Sequence, residues 1–118
     1  MTKPEDARVV HNADRYRFEL WFRGELVGIL GYFDLRHLTE SLRIQGNIGP
    51  KSEDVVMSFL HTIIVEEFEN RACAALFVQR ALDLARDYRW KVRPVCTYVR
   101  RFLGDRPEYR DLIVRLNA

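Results

Sequence analysis

The stretch DVVMSFLHTIIV (54–65) constrains the fold more than any other part of the chain. In an extended conformation Met57, Phe59, His61 and Ile63 share one face, and Val56, Ser58, Leu60, Thr62 and Ile64 share the other. Both faces are predominantly apolar, so both need cover, which places the strand inside a sheet rather than at its rim. EEFEN (66–70) then leads to RACAALFVQRALDLARDYRW (71–90). There Leu76, Phe77, Ala81, Leu84, Ala85 and Tyr88 keep one helical stripe apolar, while Gln79, Arg80, Asp83, Arg86 and Asp87 lie largely off it. A central strand that hands the chain to an amphipathic helix frames everything else.

Upstream, RYRFELWF (15–22) places Tyr16, Phe18, Leu20 and Phe22 at alternate positions, the pattern of a half-buried strand. Arg23-Gly24 follows, then the β-rich run ELVGILGYFDL (25–35), which predicts a hairpin with Gly24 supplying a positive φ. ARVVHN (7–12) reads as the end of that first strand or as a lead-in to it. RHLTESLRIQGNIGPKSE (36–53) breaks the β pattern: Gly46, Gly49 and Pro50 mark a loop insert, with Leu35, Leu38 and Leu42 spaced for a short helix. KVRPVCTYV (91–99) returns to strand character. A short helix stopped by Gly104 comes next, and RPEYRDLIVRL adds a further helical piece. The expected order is β–β–insert–β–α–β–α, an α+β arrangement forming one domain over residues 1–118.

The chain has 118 residues, about the size of one domain, and a net charge of +2, too near balance to argue for nucleic acid. Its arginines concentrate in the C-terminal third, which fits either a solvated face or a patch for a phosphorylated ligand. No aromatic platform accompanies them, so no nucleic-acid partner is expected. No apolar stretch is long enough to span a bilayer, and the polar start MTKPEDAR lacks a signal-peptide core. A cytoplasmic location without membrane association is the expectation. Cys73 and Cys96 are too few for a disulfide framework or a zinc site, and His11, His37 and His61 show no ligand spacing with them, so no metal is expected.

Several segments in order carry a resemblance. VGILGY (27–32), the His61, Thr62 and Val65 of LHTIIV, the turn NRACA (70–74), the Pro94, Cys96, Tyr98 and Val99 of PVCTYV, and Pro107-Glu108-Tyr109 before Asp111-Leu112 resemble the small N-acetyltransferase-domain proteins of the GNAT superfamily. The likeness runs from about residue 9 to 114. It implies a GNAT-like fold with a mixed, mainly antiparallel sheet, and acetyl-CoA as the cosubstrate. The acceptor it implies is a small amine or a lysine side chain. The alternative is a non-catalytic GNAT-like domain that binds coenzyme A weakly or serves as an interaction module.

By the same resemblance, Ile63, Ile64 and Val65 hold the pantetheine arm through their main chain. The amides of Asn70, Arg71, Ala72, Cys73, Ala74 and Ala75 receive the pyrophosphate, and Tyr98 and Arg101 lie toward the nucleotide. Cys96 sits where a thiol stands beside the acetyl group, as proton donor or nucleophile. The plainer reading is a small buried hydrophobe. His61 is a candidate general base, although its parity mates Met57, Phe59 and Ile63 suit a core histidine unless a bulge interrupts the strand. The sequence departs from the family at Ala72 and Ala74, which replace glycines of the turn. If Ala72 needs a positive φ, alanine there costs about 1 kcal/mol; if its backbone is helical, alanine favours the helix.

Overall fold

The computed structural model describes residues 6–34, 55–68 and 71–114. The expected insert at 36–53, with its short helix, lies outside them, as does Asn70. Five strands form one sheet in sequence order: β1 (Ala7–Asn12), β2 (Arg17–Phe22), β3 (Glu25–Asp34), β4 (Val55–Ile64) and β5 (Trp90–Pro94). The first four are antiparallel neighbours, and β5 runs parallel to β4 after the crossover helix α1 (Arg71–Asp87). A shorter helix, α2 (Thr97–Gly104), and a 3-10 turn at Pro107–Leu112 close the described chain.

ARVVHN is a strand in its own right. Asn12 accepts a hydrogen bond from the Arg15 amide at 3.3 Å, Tyr16 takes a left-handed φ of 53°, and the chain reverses into β2. The next hairpin turns on Arg23 (φ 48°) and Gly24 (φ 84°). Two successive positive values match the twist that tight hairpins require.

The core lies between the sheet and α1. Phe18, Leu20, Leu30 and Phe59 contribute from the strands, and Phe77, Val78, Ala81, Leu82 and Ala85 from the helix. The buried stripe of α1 is therefore rotated from the one read in the sequence: Val78 and Leu82 are inside, whereas Leu76 and Leu84 are only half-buried and Tyr88 is exposed. Both neighbours of α1, the sheet and α2, draw on its apolar residues, so a single stripe understates its buried surface. At one end of the core the His11 ring stacks on Phe18. Its Nε2 lies 2.6 Å from the Tyr32 hydroxyl and its Nδ1 3.1 Å from that of Tyr88.

Two tyrosines tie stability to alkaline pH. Burial, with the charge of Asp34 nearby, pushes the Tyr32 hydroxyl up to about 12. Burial and the hydrogen bond to Asp83, at 2.7 Å, do the same for Tyr109, also to about 12. Unfolded tyrosines ionise near pH 10. Between these values the folded chain holds protons that the unfolded chain has lost, so stability falls as pH rises. The urea midpoint is expected to drop from about pH 10 to 12, and Tyr109→Phe should remove its share of that slope; an unchanged slope in the variant contradicts the assignment.

Candidate functional site

Strand β4 outruns its partner. Its pairing with β5 extends from Val55↔Trp90 to Phe59↔Pro94 and stops, while β4 continues to Ile64. The cause is local. The Val95 and Cys96 amides both donate to the Phe59 carbonyl, at 3.1 and 2.8 Å, which turns the chain out of the sheet and into α2. The strand read over 91–99 therefore ends at Pro94. Cys96 stands at the N-cap of α2, and Tyr98 lies in the helix rather than in the strand.

A β-bulge reshapes the same stretch. Phe59 is opposite Tyr32 and His61 is opposite Gly31, so Leu60 is the extra residue. The parity read from the sequence holds through Phe59 and reverses after it. Met57 and Phe59 are buried, His61 and Ile63 are exposed, and Ile64 is buried. His61 is consequently no core histidine. Its ring lies over Gly31, where a Cβ would sit 3.6 Å from Cε1.

The ladder also sorts the main chain. The Val65 amide donates to the Val27 carbonyl at 2.7 Å, which directs Val65, Ile63 and His61 toward β3 by alternation. Thr62 and Ile64 direct their N–H and C=O groups to the edge that β5 leaves open. Of the three residues named for the pantetheine arm, Ile64 offers its backbone there, and Thr62 joins it.

Thr62 has a second role that the sequence reading did not give it. Its hydroxyl lies 3.0 Å from the Cys96 Sγ, and Cys96 is buried. The Thr62 side chain shares the helix-covered face with Leu30, its partner across the ladder. Cys96 and His61 thus occupy opposite faces of β4, at the point where it parts from β5. A hydroxyl in an otherwise apolar run was the available clue.

Helix α1 begins near the end of β4. Ala72 is exposed and helical, and it is not among the described residues with positive φ. Its alanine is therefore unstrained, and the amides of the first turn are left without intrahelical acceptors. The side chain of Cys73 is buried, and Ala74 and Ala75 are half-buried. In α2, Tyr98 is half-buried and Arg101 exposed, while the Arg100 Nε donates to the Pro94 carbonyl at 2.9 Å.

The splayed strand, the bulge and the helix that follows converge on one family. The model of the GCN5-related N-acetyl-transferase family matches residues 17–112. The chain belongs to that family. No curated protein matches it. Membership accounts for the α+β architecture and for an acetyltransferase activity in general terms. Among the described residues, no helix is long and apolar enough to cross a membrane.

Because Ala72 is helical, restoring a glycine there should not improve the turn. Ala72→Gly is expected to cost about 0.5 kcal/mol of stability, measured by urea denaturation, with no gain in coenzyme A affinity; tighter binding by the variant would show that the backbone needs freedom at that position.

Proposed function

We propose that the protein transfers an acetyl group from acetyl-CoA to an amine acceptor. The observation that carries this reading is the edge of β4 beyond Phe59, which no described strand pairs, with the Cys96–Thr62 pair seated beside it. Bound acetyl-CoA supplies an activated thioester. The main chain of Thr62 and Ile64 offers hydrogen bonds to the amide groups of the pantetheine arm. The first-turn amides of α1, from Arg71 to Cys73, have no acceptor within the helix and suit an anion at its positive end. Tyr98 and Arg101 line the approach from α2.

The two faces of β4 divide the proton transfers. On the exposed face His61 accepts the proton that an attacking amine must lose, directly or through one water. On the covered face Cys96, hydrogen-bonded to the Thr62 hydroxyl, holds a proton at Sγ and delivers it to the sulfur that leaves. The thiolate left behind recovers its proton from solvent. Fixed donors at a partly dry site lower the barrier without reorganising when charge develops.

Titrating acetyl-CoA into isotope-labelled protein should shift the amides of Thr62, Ile64 and Arg71 to Ala75. His61→Gln and Cys96→Ala should each lower kcat by about 100-fold while leaving those shifts in place. Coenzyme A that moves none of these amides at millimolar concentration defeats the reading. Full turnover by Cys96→Ala would remove the thiol from the mechanism and leave His61 alone in it.

A further inference from the structure

The face of the sheet turned away from α1 carries, beside His61, a polar assembly that the steps above do not use. Arg17, Gly31 and His61 stand in register across β2, β3 and β4. Leu30 and Tyr32 point into the core, so Gly31 leaves its gap on the opposite face. At the point where its Cβ would stand, the only described neighbours within 4 Å are the His61 ring atoms, at 3.6 and 3.8 Å. The result is a notch with a glycine floor and the imidazole lying over it, and Arg17 is the glycine's ladder partner on the other side. Strands about 4.8 Å apart put the Arg17 and His61 backbones roughly 10 Å apart.

Arg17 is braced. Its Nε and Nη2 both reach the Glu19 Oε2, each at 2.9 Å. Glu19 is held in turn by the Asn12 Nδ2 at 3.0 Å and the Trp21 Nε1 at 3.1 Å. Burial alone would raise the Glu19 carboxyl, but the hydrogen bonds from Asn12, Trp21 and Arg17, with the Arg17 charge, outweigh it and lower the pKa. The lowered pKa favours the ionised carboxylate that the Arg17 brace requires. The Arg17 Nη1 makes no hydrogen bond to another described residue, so one edge of a fixed guanidinium remains for a ligand. Holding it in place beforehand spares the ordering entropy that a loose side chain loses on binding.

The sign of the surroundings selects the ligand. A shallow depression lined by Asp6, Arg8, Val10, Glu19, Trp21 and Arg23 continues this face toward β1. Arg23 takes Asp6 at 3.1 Å and Arg17 takes Glu19, which leaves Arg8 as surplus positive charge among the described residues here. A second ammonium group would be repelled here, and a carboxylate attracted.

Resting on the acetyltransferase reading, we propose that the acceptor is a small amine that also bears a carboxylate, and that Arg17 anchors the carboxylate across the Gly31 notch while the amine faces His61. Arg17 is then the residue that sets acceptor specificity, and Glu19 positions it. A planar guanidinium edge suits a carboxylate, which it can meet with charge-assisted hydrogen bonds.

The test compares γ-aminobutyrate with butylamine, which share a four-carbon chain and differ in the carboxylate. Titrated into labelled protein, γ-aminobutyrate should shift the Arg17 Nε–H signal and the Gly31 and His61 amides, with an affinity at least about tenfold above that of butylamine. Arg17→Gln should collapse that ratio toward one, and Arg17→Lys should retain part of it. Equal affinities in the unmodified protein, or shifts that spare Arg17, overturn the proposal whether or not the variants fold. None of these readouts needs turnover. Failure of acetyl-CoA to move Thr62 and Ile64 would count against the transferase reading by a separate measurement.

Discussion

The structure turns on one carbonyl. Phe59 O accepts hydrogen bonds from two successive amides, Val95 and Cys96, and so uses both its lone pairs on a single bend. Had β5 continued as a strand, those two amides would have pointed to opposite edges, and only one of them could have met β4. Instead the strand pairing ends at Pro94, and β4 runs on with one edge unpaired by any described strand. Main-chain groups without a partner cost free energy when they lose water, which a ligand with amide groups of its own can recover. The same bend fixes Cys96 at the start of α2 within reach of Thr62. One local choice thus leaves the β4 edge without β5 and places Cys96 beside it.

The bulge at Leu60 supplies the second half of the design. Without the extra residue His61 would point into the core with Met57 and Phe59, and Thr62 would face outward away from Cys96. One inserted position exchanges the faces, and two side chains that differ by one place in sequence then serve opposite sides of the strand. In the proposed mechanism the strand itself keeps the proton that His61 would accept apart from the proton that Cys96 would deliver.

Much of the frame was legible because it rests on local periodicity. Alternation gave the hairpin of β2 and β3, the 3.6-residue pattern gave α1, and apolar residues at both parities put β4 inside the sheet. The parts that were not legible depend on contacts distant in sequence. Nothing in DVVMSFLHTIIV marks Leu60 as the extra residue, since the register is set by β3. Val95 and Cys96 have strand-compatible side chains, and only the Phe59 carbonyl takes them out of the strand; Pro94 was the cue that went unused. The stripe on α1 was misplaced because two neighbours bury it. Arg17 and Glu19 read as an ordinary solvated face, since alternation alone cannot distinguish a solvated carboxylate from one enclosed by Asn12, Arg17 and Trp21.

The alanines after β4 show how a motif should be weighed against a backbone. Glycine matters in a phosphate turn where the chain must adopt a positive φ or come within a Cβ of the anion. At Ala72 the first requirement is absent, because the residue already lies in α1. Anion-binding capacity at a helix start belongs to the amides, which alanine and glycine present equally, and alanine holds them in the helical arrangement at lower entropic cost. Loss of a glycine signature in sequence is therefore weak ground for inferring loss of the site.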